Sequence, residues 1–158
     1  MIKLTLDGRT VHANEGELLL HAAARNGVFI PTLCHDDRLE PYGGCRMCVV
    51  EVEGAPRPLP ACATRVREGM VVSTNGSTGQ LRRTLTEMLL AEHLSPNPGG
   101  RPNELVDLAE ELGVEAPLVL ADAGREPYAD RNTLMGYDPD TCILCNRCVR
   151  HTQEVMQC

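Results

Sequence analysis

The chain opens on an alternation. Ile2, Leu4 and Leu6 are apolar and Lys3 and Thr5 polar, and after Asp7-Gly8 a second short run follows, Arg9-Thr10-Val11-His12. A period of two sends successive side chains to opposite faces of a strand, and Asp-Gly suits the left-handed residues of a tight turn, so this stretch predicts a β-hairpin. From Glu17 to Asn26 the residues are good helix formers, and Gly27 supplies a stop. Alternation returns in Cys48-Val49-Val50-Glu51-Val52-Glu53, which Gly54-Ala55-Pro56 turns. Two further short strands are predicted at 59–63 and 69–73. Hairpin, helix, loop and strands in this order predict a small mixed sheet crossed by one helix.

Beyond Ser77 the period changes. Apolar residues at 81, 85, 88 and 89 predict an amphipathic helix from Gly79 to Leu94, with Ser77 as a candidate cap. Residues 95–102 form a Pro/Gly-rich loop. A second helix follows, with Asn103 placed to cap it and Gly113 to stop it. Residues 114–137 carry little pattern: 116–121 read as a short strand or loop, and 122–137 as a surface linker.

The cysteines add chemistry to this frame. Cys34, Cys45, Cys48 and Cys62 are spaced C-x10-C-x2-C-x13-C, and a [2Fe–2S] cluster takes four such thiolates, two per iron. Gly43 and Gly44 allow the backbone to bend closely around a cluster, with N–H groups free to reach the sulfurs. Two disulfides, or an all-thiolate zinc site, fit the same four residues. Cys142, Cys145 and Cys148 form C-x2-C-x2-C, the opening of a bacterial-type [4Fe–4S] loop in which three thiolates converge from one short turn. Zinc is the rival there too.

The residues around the first four cysteines carry a resemblance. Ile30-Pro31-Thr32-Leu33-Cys34, Gly44-Cys45-Arg46-Met47-Cys48-Val49-Val50-Glu51-Val52 and Pro60-Ala61-Cys62 are similar to the β-grasp [2Fe–2S] ferredoxin domain that opens three related proteins. These are the large iron–sulfur subunit of complex I, the α subunit of NAD-dependent formate dehydrogenases, and multi-cluster [FeFe] hydrogenases. The resemblance implies an α+β fold in three parts. Residues 1–76 would be the ferredoxin-type domain and 77–115 a helix-loop-helix. Residues 116–158 would be a linker and the start of a [4Fe–4S] ferredoxin-like domain. In that family the helix-loop-helix carries an H-x3-C-x2-C-x5-C cluster site. His93 stands at its place, but Asn97, Gly100 and Asn103 stand where thiolates are needed, so no cluster is expected and His93 reads as an ordinary surface or interface histidine.

The third part resembles the complex I subunit, in which Thr152 takes the place of a fourth cysteine and the remaining ligand arrives some forty residues downstream. Cys158 lies ten residues past Cys148. If 149–157 is helical, that is about 15 Å along the axis, too far for the same cube. The fourth ligand is therefore expected beyond residue 158, in a longer protein.

Composition narrows the rest. A net charge of −7 argues against a nucleic-acid partner. No apolar run approaches 18 residues, and no basic-then-apolar leader is present. Eight cysteines without a leader point to metal binding in a reducing cytoplasm. Aromatic residues make up only 3%, so the core must come from Leu, Val, Ala and Met, with a cluster as the staple a domain this small needs. No catalytic base, nucleophile or dinucleotide fingerprint is visible. The expected function is an electron-transfer module of a larger NAD-linked oxidoreductase, working with a flavin/NAD-binding subunit in a complex that could sit at the inner face of the membrane. The rival is a zinc-stabilised interaction module with no redox role.

Overall fold

The computed structural model describes residues 1–93, 102–115 and 137–157. They fall into two compact units, one formed by Met1–Arg82 with residues 145–158, the other by Arg83–Leu144.

In the first unit the expected hairpin forms. β1 (Ile2–Leu6) pairs antiparallel with β2 (Arg9–Ala13), from Ile2 opposite Ala13 to Leu6 opposite Arg9. Asp7 and Gly8 both take positive φ, 49° and 78°, the pair of left-handed residues that a two-residue turn matching strand twist requires. Leu4 and Leu6 are buried, so the alternation places one face of β1 in the core. Helix α1 (Leu19–Arg25) starts two residues later than the composition predicts. Leu18 is extended and bridges to Arg65, and the Glu17 carboxylate accepts the Asn14 N–H at 2.9 Å. The end is as read: the Asn26 side chain donates to the Ala22 carbonyl, and Gly27 follows at φ 74°.

β3 (Val49–Val52) pairs antiparallel with the short β4 (Leu59–Pro60) and with β5 (Val71–Ser73), and β5 runs parallel to β1. The sheet order is β2-β1-β5-β3-β4, with α1 packed against it. The core is Leu4, Leu6, Leu19, Ala22, Ala23, Ile30, Val50, Val66 and Val72, joined by Cys48 and Cys62. This bears out the mixed α+β architecture.

One predicted strand is cut short. The run 59–63 leaves the sheet at Pro60 and tightens into a 3₁₀ turn, Ala61–Ala63, in which the Thr64 hydroxyl donates to the Pro60 carbonyl at 2.8 Å. Cys62 is therefore held on a turn rather than on a strand.

Helix α2 (Ser77–Glu92) follows β5. The Ser77 hydroxyl, read as a cap, donates instead to the Glu51 carboxylate. The residue that anchors the start of α2 is Arg82, only 5% exposed. Its guanidinium donates to three backbone carbonyls: Nε to Met47 at 3.1 Å, Nη1 to Thr74 at 2.7 Å and Nη2 to Val49 at 2.6 Å. Burial pulls its pKa down, and the nearby Cys48 and Asp7 oppose that. Asp7 in turn fixes Thr74, accepting from its N–H at 2.7 Å and its hydroxyl at 2.6 Å.

In the second unit α3 (Glu104–Leu112) has the predicted ends. The Asn103 side chain accepts from the N–H groups of Leu105 and Val106, and Gly113 closes the helix at φ 61°. Of the two settings expected for His93, surface or interface, the surface one does not hold. His93 is 6% exposed, and its Nε2 lies 2.8 Å from the Asn103 amide nitrogen. The residue standing at the missing cysteine position thus satisfies the histidine ring, and burial lowers the His93 pKa. Asn97, Gly100 and the weakly patterned stretch 116–136 lie outside the described residues.

The C-terminal stretch is helical, as its spacing predicts: α4 (Arg147–Arg150) widens into a π turn at His151–Met156. Cys158 lies outside the described residues.

Replacing Arg82 by Met would strand three buried carbonyls. Each hydrogen bond to a charged group contributes about 1.5–3 kcal/mol, and we expect a loss of about 3 kcal/mol or more, read as a lower midpoint in urea. Arg82→Lys, with one ammonium and no fork, should recover only part of it.

Candidate metal centre

The loop between α1 and β3 carries Cys34, Cys45 and Cys48, and the 3₁₀ turn after β4 carries Cys62. Cys34, Cys48 and Cys62 are buried and Cys45 half-buried, and every described cysteine is a free thiol. Cys34 follows the buried Ile30 and Leu33, and Cys48 precedes β3, so each is pinned by the core next to it. The loop reaches them through left-handed backbone at Gly43 (φ 66°) and Arg46 (φ 61°). A Cβ on Gly43 would sit 3.2 Å from Pro60, and one on Gly44 would run into the Tyr42 ring, so the close turn depends on both glycines.

The loop backbone points its donors at sulfur. The Cys45 N–H lies 3.4 Å from Cys34 Sγ, and the Gly44 N–H also faces that sulfur. Backbone N–H groups of Met47 and Leu33 face the Cys45 sulfur, and that of Cys62 faces the Cys48 sulfur. Such donors stabilise thiolate charge.

The thiols also act on one another electrostatically, Cys45 with Cys34, Cys34 with Cys62, and Cys62 with Cys48. Cys45 and Cys62 hold Cys34 far below the usual thiol range, and Cys62 brings Cys48 down to about 7. Cys45 and Cys62 are themselves pushed up. Four thiols at this spacing cannot all ionise unless cations take up the charge.

The shape of the group tests which metal it fits. A tetrahedral zinc site at Zn–S of about 2.3 Å brings all four sulfurs within roughly 3.8 Å of one another. Among the described residues, no three cysteine sulfurs lie mutually within 4.8 Å. The contacts run in the order 45–34–62–48. An elongated centre with two metals fits that order. A [2Fe–2S] cluster, with two thiolates on each iron, has this form.

Residues 1–77 match the family model of the 2Fe-2S iron-sulfur cluster binding domain. They are a [2Fe–2S] cluster domain. Relatives extend along the whole chain. It is 34% identical over 162 residues to the NADPH-Fe(3+) oxidoreductase subunit alpha of Geobacter sulfurreducens, covering 100% of this chain and 19% of that protein. It is 36% identical over 160 residues to the mitochondrial NADH-ubiquinone oxidoreductase 78 kDa subunit of Neurospora crassa, covering 98% and 22%. To the NADP-reducing hydrogenase subunit HndD of Solidesulfovibrio fructosivorans it is 38% identical over 172 residues, covering 100% and 28%. Among solved structures, an NAD+-reducing [NiFe]-hydrogenase in the H2-reduced state superposes with a TM-score of 0.73 at 32% identity, over 96% of this chain and 65% of that one.

The chain thus spans about a fifth to a quarter of the length of these curated relatives. The resemblance read from the cysteine motifs is borne out: the cluster domain is of the kind found in iron–sulfur subunits of NAD(P)-linked oxidoreductases. Nothing in these comparisons supports a zinc-stabilised interaction module. No helix among the described residues is long and apolar enough to cross a membrane.

The second cysteine group is more open. Cys142 and Cys145 are half-buried and Cys148 is exposed. Leu144 and Asn146, which flank Cys145, both take left-handed φ, 55° and 59°. Thr152 uses its hydroxyl inside the helix, donating to the Cys148 carbonyl at 3.0 Å.

Within the first unit, the helical stretch after Cys145 docks on the ten-residue gap between Cys34 and Cys45. Asn146 donates to the Tyr42 hydroxyl at 2.9 Å, and the Arg150 guanidinium lies 4.8 Å from the centroid of the Tyr42 ring. Arg150 also donates to the Glu40 carbonyl, while the Glu154 carboxylate accepts the Glu40 N–H at 2.7 Å. Neither this clamp nor the Arg82 anchor has a local sequence signature, because each joins residues far apart in the chain.

In the cluster domain, Cys45→Ser or Cys48→Ser should abolish most of the paramagnetic signal of the reduced [2Fe–2S] centre, read by electron paramagnetic resonance after dithionite. Cys158→Ala should leave that signal intact.

Proposed function

We propose that this chain relays single electrons within a larger NAD(P)-linked oxidoreductase, through two iron–sulfur centres. The observation that carries the reading is the group of four thiols, three of them buried and Cys45 half-buried. Cys34 with Cys45 would hold one iron of the [2Fe–2S] cluster, and Cys48 with Cys62 the other. The cluster supplies one-electron redox chemistry. The protein holds the ligands, directs N–H donors at their sulfurs and keeps water from three of the four.

Cys142, Cys145 and Cys148 would hold three corners of a [4Fe–4S] cluster, with the fourth ligand beyond residue 158. The left-handed backbone at Leu144 and Asn146 supports a loop wrapped tightly around a compact object, since such φ values are costly for residues with a Cβ. The committed hydroxyl of Thr152 supports a fourth ligand from elsewhere.

On this reading the chain has three functional parts: 1–76 for the [2Fe–2S] cluster, 77–115 as a packing element without a cluster, and 116–158 leading into the [4Fe–4S] domain. The partners would be a flavin/NAD-binding subunit that delivers or accepts electrons and a downstream domain that holds the active site. The subunit names of the relatives support a multi-subunit assembly, for which the reading places the chain in the cytoplasm at the inner face of a membrane. Complex I, formate dehydrogenase and hydrogenase chemistry are all compatible with the relay.

Iron counting tests the division. The 158-residue chain, reconstituted without oxygen, should hold a stable [2Fe–2S] centre and a labile or partly filled second cluster. A chain extended by about fifty residues should hold both. An air-stable cube on the short chain that disappears in Cys158→Ala would assign the fourth ligand to Cys158 instead.

His93→Ala should leave iron content and cluster spectra unchanged in either chain, while lowering thermal stability through loss of the buried contact to Asn103. A loss of about four irons would overturn the reading of 77–115 as cluster-free.

A further inference from the structure

A second group of metal-ligating side chains lies beside the cysteine loop and takes no part in the thiol chain. His21 on α1 and His35, the residue after Cys34, bring their Nε2 atoms to 3.2 Å from each other. Each of these atoms is 2.9 Å from Asp37 Oδ1. The imidazole rings are tilted by 58°, with centroids 5.3 Å apart.

Hydrogen bonds alone satisfy this triangle poorly. A carboxylate oxygen brings only lone pairs, and a neutral imidazole Nε2 brings either one proton or one lone pair. If both rings carry their proton on Nε2, both can donate to Asp37, and two N–H groups then face each other across 3.2 Å. If only one ring does, a bare nitrogen faces a carboxylate oxygen at 2.9 Å. A cation at the centre removes the conflict, because three lone pairs then point at one positive charge.

The dimensions suit such an ion. A point about 2.05 Å from all three atoms exists roughly 1.1 Å above their plane, and that is the usual zinc–imidazole and zinc–carboxylate distance. Separations of 2.9–3.2 Å lie at or just below the edge of a tetrahedral or octahedral site with bonds of that length, about 2.9–3.4 Å. Access is open: the Asp37 side chain is 80% exposed and His21 42%, while His35 at 13% is held against the protein.

We propose that His21 Nε2, His35 Nε2 and Asp37 Oδ1 form a binding site for one zinc-class divalent cation, separate from the iron–sulfur ligands. Two imidazoles and one carboxylate on one face leave the remaining positions to water, a donor set suited to Zn²⁺, Co²⁺ or Ni²⁺ and poorly suited to Mg²⁺ or Ca²⁺. Bound there, the ion would tie α1 to the loop that carries Cys34. The proposal is independent of the electron-relay reading, since none of the three ligands belongs to the thiol chain.

The test is a titration with Co²⁺ alone of the reconstituted 158-residue chain carrying Cys142→Ser, Cys145→Ser and Cys148→Ser, followed by visible difference absorption. The expected result is one equivalent bound with weak ligand-field bands and no intense thiolate charge-transfer band. Loss of a direct ligand should cost at least as much as the ~10–100-fold typical of an outer-shell partner. We therefore expect His21→Ala and Asp37→Ala each to weaken Co²⁺ binding by about 100-fold. Both residues are substantially exposed, so an unchanged urea midpoint without metal will show that the variants fold. Zn²⁺ should displace the bound Co²⁺, and millimolar Mg²⁺ should not. Equal affinity in the parent chain and both variants would overturn the proposal. So would Co²⁺ taken up only with thiolate charge-transfer absorption, or no uptake at millimolar Co²⁺.

Discussion

Four sulfur atoms must meet in pairs beneath a very small sheet, and most of the first unit is arranged around that requirement. The domain has little else to close its core. It contains no tryptophan, and its single phenylalanine, Phe29, lies 66% exposed. Leucine, valine and alanine fill the space between α1 and the sheet, and Cys48 and Cys62 pack there as small apolar residues do. A core of about this size buries a modest share of its surface. Iron–thiolate links across the loop, the 3₁₀ turn and the edge of β3 would supply the cross-linking that larger domains obtain from bulk.

Around the sulfurs, polar groups secure backbone that the sheet leaves unpaired. Arg82 reaches from α2 to the carbonyls of Met47 and Val49, either side of Cys48, and to Thr74 after β5. One buried cation thereby fixes the helix, the cysteine pair and the end of the central strand to each other. Its burial is tolerable because every nitrogen of the fork finds an acceptor. On the opposite side of the loop, Glu40 and Tyr42 are gripped by Asn146, Arg150 and Glu154. The ten-residue gap that separates this motif from shorter ferredoxin loops is in this chain a docking surface for the segment following the second cysteine group.

What could be read from the chain was what local chemistry dictates. The Asp7-Gly8 turn, the alternation of β1, the Asn103 cap and the Gly113 stop each depend on a few adjacent residues, and each is present. The four cysteines were legible because thiolate spacing is itself a chemical requirement. Positions set by distant contacts were not. Pro60 bends Cys62 off the sheet because residues 61–63 tighten into a turn against β3, and the strand-like composition of that run gives no sign of it. His93 is buried because Asn103, ten residues on, offers its amide. His21 and His35 look unrelated along the chain, and only the packing of α1 beside the Cys34 loop makes them neighbours.

The order of strands has a consequence for how the domain comes into being. β5, the last strand to be synthesised, is the central one, with β1 on one side and β3 on the other. The two hairpins, β1–β2 and β3–β4, can form early because their partners are close in sequence, and within the sheet they are joined through β5. Its parallel register with β1 pairs Thr5 with Val71 and closes a long loop before it gains contacts, the slow kind of step in folding. The first four cysteines all precede that strand in the chain. The cage that would hold two irons is assembled by an event that involves no cysteine, and metal arriving earlier meets a floppy chain with competing pairings of sulfur.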